Sequence, residues 1–367
     1  MTEKMKLGIL YGGRSGEHEV SLMSARSVLS VIDRSKFDIV EIGITRNGKW
    51  FVGDNLWDNL KNECYEGLLP AFLRPWPQDA GIYVQENGQM TLYSNLDVVF
   101  PVMHGTYSED GTLQGLLELA DIAYVGAGVL GSATCMDKGL FKDVMRTNGI
   151  PTLTYNVFNR TDIQTDMDAC LKQAEAIASY PLFVKPANLG SSVGISKCTS
   201  RSDLLEGLMQ ASLYDRRILV EKGIDNPREI EVSVLGNESP KASIPGEVIP
   251  KDIFYTYKEK YINDTAELII PAPIPEQTIS RVQDLAIQAY KATDCAGMAR
   301  VDFLLDRESN ELYLNEINTI PGFTKISMYP KLWEASGLPY RDLIEQLIDL
   351  ALARKVQRDE TIREYRG

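Results

Sequence analysis

The feature that most constrains the fold is a short apolar run that ends in two glycines and leads into a helical pattern. Residues 6–11 read KLGILY and continue into Gly12-Gly13, as expected of a buried parallel strand. Between Glu19 and Ile32 apolar residues recur at the spacing of one helix face, and IVEIGIT and DVVFPVMHG supply further strands. Strands and helices in alternation predict a doubly wound parallel-sheet α/β lobe over roughly the first third of the chain.

The sequence beyond Lys138 has a different texture. The apolar runs PLFVKP, GISKC and RILVEKG flank a glycine-serine loop, whereas REIEVSVLG and ARVDFLLD alternate as antiparallel strands do. The stretch 54–89 contains three prolines and is interpreted as surface elaboration. The length of 367 residues indicates two or three lobes, and the change of pattern along the chain favours three packed lobes of α/β or α+β structure. Helical patterns cover 166–179, 202–212, 276–293 and 339–354.

Composition excludes several classes of partner. The formal net charge is −13, which disfavours nucleic acids and anionic membranes because their phosphates are repelled. The five cysteines contain no CxxC pair, as expected of reduced thiols in a cytosolic protein. The chain has no signal-peptide pattern at its start and no apolar run approaching the ~18 residues that a membrane span needs. We therefore expect a cytoplasmic protein.

Two clusters of polar residues follow strands of the first lobe. The segment GGRSGEHEVS places Glu17 in the first turn of a helix, where it could hold an ammonium group in the cleft. An acidic residue that stabilises the helix N-terminus is the alternative, and spacing alone leaves both open. The segment HGTYSEDGTLQG begins with His104 at a strand end. A structural role is the more common one for a single histidine, whereas the position of His104 before a glycine favours a functional role.

Two further clusters indicate phosphate and metal binding. Lys185 and the loop NLGSSVG offer a point charge with N–H and O–H groups to phosphates, although an ordinary hairpin loop is the alternative. Glu316 and Asn318 lie two apart on one strand and share a face, and Asp302 could meet them from the neighbouring strand. These oxygen ligands suit magnesium between protein and ATP. Arg300 shares the face of Asp302 and could reach a developing oxyanion.

In this order the motifs resemble those of the D-alanine–D-alanine ligase family, whose members have the ATP-grasp fold. The resemblance covers nearly the whole chain, through GGxSxEHEVS, HGxxxEDGxxQG, VKPxxxGSSVGxSK, KEKY and RxDF…NExNTxPG…SMYP. It implies an ATP-dependent ligase that phosphorylates one D-alanine and joins it to a second, for peptidoglycan synthesis. It also implies lobes at 1–128, 129–222 and 223–367, with ATP and two Mg²⁺ (or Mn²⁺) ions as cofactors, and a homodimer.

The resemblance assigns roles in amino-acid binding and catalysis. Glu17 would bind the ammonium of the first D-alanine and be held by Ser191 and Tyr261. Arg300 and the N–H of Gly322 would form the oxyanion site. The carboxylate of the second D-alanine would be received at the far end of the chain, with a histidine nearby: Ser327, Met328 and His104.

The resemblance also assigns the nucleotide and metal sites. Three lysines would contact phosphates or the nucleotide: Lys138, Lys185 and Lys260. Two residues would meet the adenine and one the ribose: Glu221, Lys222 and Glu229. The magnesium ions would be bound by the three oxygen-bearing residues of the strand pair: Asp302, Glu316 and Asn318.

Two positions bear on specificity and on strain. Tyr261 favours D-alanine as the second substrate, since family members that make D-alanyl-D-lactate tend to have phenylalanine or a different loop with histidine there. The family usually has glycine where this chain has Ser108. If that position requires a positive φ, serine would strain the loop by about 1–3 kcal/mol.

Three other functions are weighed against this one. Another ATP-grasp carboxylate–amine ligase would need the same lysines, loop and metal ligands, so only the segments around Glu17 and Ser327 distinguish it. A noncatalytic amino-acid-binding module would not need the cluster of Asp302, Glu316 and Asn318. An NAD-dependent oxidoreductase is disfavoured because the chain has no GxGxxG, and the P-loop pattern GxxxxGK[ST] is also missing.

Overall fold

The computed structural model describes residues 4–86, 88–191, 193–249 and 267–362, and within these ranges the strands form three sheets. The first sheet has the order β6-β5-β4-β3-β2-β1-β7-β8. Its strands are β1 (Met5–Gly12), β2 (Phe37–Ile44), β3 (Trp50–Val52), β4 (Leu69–Leu73), β5 (Gly81–Glu86), β6 (Gln89–Asn95), β7 (Val98–Val102) and β8 (Ala123–Tyr124). The four strands β2, β1, β7 and β8 pair in parallel, which confirms the parallel sheet expected for this part of the chain.

The other half of the first sheet is antiparallel and corrects one expectation. The interpretation of 54–89 as surface elaboration is wrong, because β4, β5 and β6 extend the sheet beyond β3. Ala71 and Leu73 of β4 and Ile82 and Val84 of β5 are buried in the core of this sheet. The prolines at 75 and 77 lie between these strands and so interrupt the sequence pattern without ending the sheet.

Helices from both ends of the chain cover the first sheet. Helices α1 (His18–Val31), α2 (Leu56–Lys61) and α3 (Thr112–Leu119) come from the first part of the chain. Helix α11 (Tyr340–Asp359) returns from the far end, and its apolar residues share a core with Leu7 and Ile9 of β1. This return joins the last described helix to the first sheet through a buried apolar contact.

The second sheet is antiparallel, with the order β11-β10-β12-β9. Its strands are β9 (Tyr155–Asn159), β10 (Leu182–Pro186), β11 (Ser196–Cys198) and β12 (Arg217–Lys222). Helices α4 (Val129–Met136) and α5 (Lys138–Thr147) precede it, and α6 (Arg160–Thr165), α7 (Met167–Glu175) and α8 (Arg201–Tyr214) lie within its span of sequence. The glycine-serine loop connects β10 to β11 and therefore leaves from the end of the strand that carries Lys185.

The third sheet carries the strand pair that the sequence identifies as a metal site. Its order is β16-β15-β13-β17-β18, with β14 paired to β13. The strands are β13 (Arg228–Leu235), β14 (Lys241–Ala242), β15 (Gly246–Ile249), β16 (Glu267–Ile269), β17 (Met298–Leu305) and β18 (Leu312–Asn318), and the helices are α9 (Glu276–Ala292) and α10 (Met328–Ala335). In the antiparallel register of β17 and β18, residue 302 lies opposite 316 and residue 300 opposite 318. Among the described residues, no helix is both long enough and apolar enough to cross a membrane.

Candidate active site

Glu17 lies in a cavity formed by the strand ends of the first sheet, the third sheet and the glycine-serine loop. Its side chain accepts a hydrogen bond from the hydroxyl of Ser191 and is largely buried. Although Glu17 occupies the N-cap position of α1, its side chain makes no capping hydrogen bond. The structure thus directs this carboxylate into the cavity and not onto the helix end.

Gly105 lies in the loop between β7 and α3, residues 103–111, and allows this second loop to approach Glu17 closely. The residue has φ +76°, and a Cβ there would lie 2.5 Å from Oε2 of Glu17 and 2.6 Å from Oγ of Ser15, closer than any side chain permits. Tyr107 and Gly111 also have a positive φ in this loop, at 65° and 87°, whereas Ser108 has a negative φ. The condition for strain at Ser108 is therefore not met, and its carbonyl instead accepts a hydrogen bond of 2.7 Å from Gln114.

His104 lines the cavity with little of its surface exposed, and hydrogen bonds occupy both of its ring nitrogens. Nδ1 lies 3.0 Å from the carbonyl oxygen of Ile320, and Nε2 lies 3.1 Å from Oγ of Ser24. Because a carbonyl oxygen only accepts, Nδ1 carries the proton and Nε2 accepts from the serine hydroxyl. Burial lowers the pKa of His104 to about 4, so the ring is neutral at physiological pH.

Glu109 is a cavity residue that the sequence analysis missed. Oε2 accepts the N–H of Gly105 at 2.6 Å, and Oε1 accepts the N–H of Ile320 at 3.3 Å. Desolvation by burial, together with repulsion from Glu17, raises the pKa of Glu109 to about 8. The sequence feature that could have identified Glu109 is its position in the segment HGTYSEDGTLQG, two residues before a glycine.

Arg300 and Asp302 form a bidentate ion pair on β17. Nε and Nη2 of Arg300 donate to the two carboxylate oxygens of Asp302 at 2.7 and 2.6 Å, and Nε also lies 3.0 Å from Glu231. From β18, Asn318 donates to Oδ2 of Asp302 at 2.9 Å, and Glu316 faces Asp302 in the strand register. The sequence prediction that these groups share one face of two neighbouring strands is confirmed.

The strand pair carries the donor set of a divalent-cation site. Asp302, Glu316 and Asn318 offer carboxylate and carboxamide oxygens, the ligand type that Mg²⁺ prefers. In the part of the chain that the structure describes, no group of three His, Cys, Asp or Glu side chains is arranged to hold a metal. Asp302, Glu316 and Asn318 are the residues that would hold a divalent ion at this position.

A second cleft adjoins the cavity and lies between the second and third sheets. Both are lined by Lys138, Glu316 and the loop residues 189–191. Lys138 lies 3.6 Å from the carboxylate of Glu316 and donates to the carbonyl of Leu189 at 2.9 Å. The other polar residues of this cleft include four from the predicted nucleotide set: Lys185, Glu221, Lys222 and Glu229. Its apolar lining includes Leu153, Phe183, Ile195, Ile224 and Leu304. An apolar slot with a few charged groups suits a planar base and its phosphates.

The carboxylate of Glu221 lies between two lysines at the back of this cleft. It forms an ion pair with Lys142 of α5 at 2.9 Å and another with Lys185 of β10. Burial lowers the pKa of Lys142. Burial also acts to lower the pKa of Lys185, but Glu221, Glu316 and Glu229 together outweigh it and raise that pKa. Burial acts to raise the pKa of Glu221, but the two lysines outweigh burial and hold this pKa well below its ordinary value. The sequence analysis missed Lys142, although it lies one helical turn after Lys138.

The remaining predicted residues lie near the start of α10 or outside the described ranges. Gly322 lines the cavity. Ser327 precedes α10, and its Oγ lies 2.8 Å from Oγ1 of Thr324 and accepts the N–H of Thr324 at 3.0 Å. The side chain of Met328 is buried against Val248 and Leu332 and does not line the cavity. Two predicted residues lie outside the described residues: Lys260 and Tyr261.

Two family models match nearly the whole chain. Residues 6–127 match the model described as "D-ala D-ala ligase N-terminus", and residues 144–349 match "D-ala D-ala ligase C-terminus". A D-alanine--D-alanine ligase of Natranaerobius thermophilus is 45% identical over 367 residues, covering 99% of each chain. A D-alanine--D-alanine ligase of Thermoanaerobacter sp. is 51% identical over 352 residues, covering 95% of this chain and 97% of that protein.

Two solved structures of D-alanine ligases are similar to this chain over nearly its full length. The D-alanine-D-alanine ligase of Coxiella burnetii has a TM-score of 0.83 at 38% identity, covering 98% of this chain and 97% of that one. The VanG D-Ala:D-Ser ligase of Enterococcus faecalis has a TM-score of 0.85 at 35% identity, covering 95% and 100%.

Proposed function

The chain belongs to the D-alanine–D-alanine ligase family, and we propose that it forms D-alanyl-D-alanine from two D-alanines with ATP, releasing ADP and phosphate. One observation carries this proposal. The cavity that contains Glu17 and Arg300 is continuous with the cleft that contains Lys185, because Lys138, Glu316 and the loop 189–191 line both. An amino-acid carboxylate held beside Arg300 would therefore lie next to the phosphates of a nucleotide in the cleft.

In this proposal the protein acts by positioning the reactants and by stabilising charge. Glu17, held by Ser191, binds the ammonium of the first D-alanine. Arg300 and the N–H of Gly322 stabilise the oxyanion as the second amine attacks the acyl phosphate and phosphate leaves. The carboxylate of the second D-alanine is received at the start of α10 by the hydroxyl of Ser327 and the backbone of Met328, because the side chain of Met328 is buried.

The nucleotide lies in the cleft between the second and third sheets. Lys138, Lys185 and Lys260 contact phosphates, while Glu221 and Lys222 lie beside the adenine and Glu229 beside the ribose. For Glu221 the backbone is the available contact, since its carboxylate is paired with two lysines. Mg²⁺ would be held by Asp302, Glu316 and Asn318, and its chemistry is to neutralise phosphate charge as the phosphoryl group is transferred.

The test is phosphate release from Mg-ATP in the presence of D-alanine, L-alanine, D-serine or D-lactate, with the products identified by mass. We expect release that depends on D-alanine, with D-alanyl-D-alanine as the product. Nucleotide binding without turnover on D-alanine would refute the substrate assignment and leave the family unchanged. D-serine is the second candidate acceptor because the D-Ala:D-Ser ligase shares this fold over its whole length.

Three further proposals concern organisation. Lobe borders at 128/129 and 222/223 agree with the strand distribution, since each sheet is confined to one of the three ranges. A homodimer is tested by light scattering on the eluting protein, where a monomer mass would refute it. A cytoplasmic location agrees with the use of ATP and with five free cysteines, four of which are buried.

A further inference from the structure

Two residues of the second loop hold both polar groups of one peptide residue in the third lobe. His104 donates from Nδ1 to the carbonyl of Ile320 at 3.0 Å, and Glu109 accepts the N–H of Ile320 at 3.3 Å. Both contacts join residues more than 200 positions apart in the sequence. The backbone of Ile320 is thereby fixed to the loop that follows β7.

Helices α1 and α11 hold the residue three positions later in the same way. Oγ of Ser24 accepts the N–H of Phe323 at 3.3 Å, and the hydroxyl of Tyr340 donates to the carbonyl of Phe323 at 3.0 Å. The Phe323 ring is fully buried and contacts the Phe100 ring, with 5.5 Å between the ring centroids. This end of the segment is therefore also fixed by the first sheet and its helices.

The residues that hold the segment are connected to one another. The hydroxyl of Ser24 donates to Nε2 of His104 at 3.1 Å while it accepts the N–H of Phe323, so it uses its one hydrogen and one lone pair. Glu109 also accepts the N–H of Gly105, directly after the histidine. A change in any one of these side chains therefore alters the hydrogen bonds of the others.

Pro321 and Gly322 lie between the two fixed residues and line the cavity. Within the described residues, the N–H of Gly322 has no hydrogen-bond acceptor, so it is available to a ligand. We propose that Ser24, His104 and Glu109 are positioning residues that fix the segment 320–323, and so fix the N–H of Gly322 at the cavity. His104 then acts through this segment and not by direct contact with the carboxylate of the second substrate.

The state of His104 agrees with this assignment. The ring is almost fully buried, and its two nitrogens are both engaged by protein groups. The ring carries no positive charge at neutral pH, since burial lowers its pKa to about 4. A neutral ring with both nitrogens occupied has neither a charge nor a free donor to offer a carboxylate.

The catalytic part of the inference rests on the proposed function, whereas the positioning part is measured without any substrate. Ser24→Ala removes the acceptor of the Phe323 N–H and the donor to His104. We expect amide hydrogen exchange in a peptide covering 319–324 to be about 10-fold faster, which corresponds to one lost hydrogen bond. Ser243→Ala is the matched control, because Ser243 is equally buried, accepts the N–H of Ser233 and donates to the carbonyl of Ile244.

Kinetics then separate positioning from substrate contact. A displaced oxyanion donor weakens the transition state more than the ground state, so Ser24→Ala should lower kcat about 10- to 100-fold and change the KM for the second D-alanine less than about threefold. Ser243→Ala should retain the wild-type kcat and the wild-type exchange rate in 319–324, with faster exchange confined to the neighbourhood of Ser233. If Ser24→Ala does not fold, Glu109→Gln gives the same readouts, since the carboxamide places an NH2 group where one of the two accepting oxygens of Glu109 lies.

Each outcome decides between the two roles. Unchanged hydrogen exchange in 319–324 would overturn the positioning role, whatever the activity. Faster exchange with a raised KM for the second D-alanine and an unchanged kcat would overturn the link to the oxyanion donor. A wild-type protein that makes no D-alanyl-D-alanine would refute the proposed function, and the hydrogen-exchange result would still test the positioning role.

Discussion

Replacing Lys142 by methionine is the sharpest test of the buried charges behind the nucleotide cleft. Methionine keeps most of the length of the lysine side chain and removes its charge, so the change leaves little empty volume. The Nζ atom of Lys142 is almost fully buried and lies 2.9 Å from one oxygen of Glu221, while Lys185 contacts the other oxygen. Lys142→Met therefore leaves Glu221 with one partner instead of two.

The size of the effect follows from the geometry. With an effective dielectric constant of ~20, unit charges at this separation attract by about 6 kcal/mol. Desolvation of a buried ion costs several kcal/mol and offsets part of that attraction. Loss of the only partner of a buried charge costs about 3–5 kcal/mol, and Glu221 retains Lys185. We therefore expect a loss of about 2–3 kcal/mol, which lowers Tm by about 4–12 °C at 2–4 °C per kcal/mol.

The same change should weaken nucleotide binding. Lys142, Lys185 and Glu221 together carry a net charge of +1 at the back of the cleft, and without Lys142 their net charge is zero. Lys185, which lines the cleft, is then neutralised by Glu221 and attracts phosphate less strongly. We expect the KM for ATP to rise about 10-fold, equivalent to about 1.4 kcal/mol, with a smaller change in kcat.

Thermal unfolding and ATP titration of the initial rate measure the two effects. Lys172→Met makes the same chemical change at an exposed position of α7 and should leave both quantities near wild type. A double-mutant cycle with Glu221→Gln should give a coupling energy of about 1.5–3 kcal/mol between residues 142 and 221. If Lys142→Met unfolds within about 1 °C of wild type and has an unchanged KM for ATP, Lys142 neither stabilises Glu221 nor contributes to nucleotide binding.

Three other predictions follow from the site. Asp302→Asn removes a carboxylate from the metal site, so the Mg²⁺ concentration that half-saturates ATP binding, measured by calorimetry, should rise at least ~10-fold; equal Mg²⁺ dependence in both proteins would exclude this residue as a ligand. Tyr261→Phe should raise the ratio of ester to peptide product when D-lactate and D-alanine compete, and an unchanged ratio contradicts its role in specificity. Because the pKa of Glu109 is raised from 4.5 to about 8, its contribution to stability is present below pH 4.5 and is lost as pH rises towards 8. The Tm of Glu109→Gln minus the Tm of wild type should therefore increase as the pH is raised from 5 to 8. A difference in Tm that does not change with pH would contradict the raised pKa.

Local periodicity accounts for what the sequence predicted correctly. The alternation of side chains along a strand places Glu316 and Asn318 on one face without any knowledge of the fold, and β18 confirms it. Long apolar helical patterns were recognised for the same reason, as in α9 and α11. The strands at 69–73 and 81–86 were missed because each is short and prolines separate them, so the local pattern resembles a loop.

Partners that are distant in sequence account for what was missed. Lys142 forms its ion pair with Glu221, which lies 79 positions away in the sequence. Glu109 accepts the N–H of Ile320, which lies 211 positions away. Residue spacing within a helix or strand carries no information about such contacts. Only the packing of the three sheets brings these groups together.

His104 shows how the fold changes the interpretation of a motif residue. A histidine at a strand end before a glycine suggests contact with a ligand, although a structural role is the more common one for a single histidine. In the structure, both ring nitrogens instead form hydrogen bonds, to Ser24 and to Ile320, which lie 80 and 216 positions away. We expect a residue that joins α1 to the segment carrying Gly322 to affect the chemistry without touching the substrate. For that reason loss of activity in a His104 variant cannot identify a substrate contact, whereas the exchange rate of segment 319–324 distinguishes the two roles.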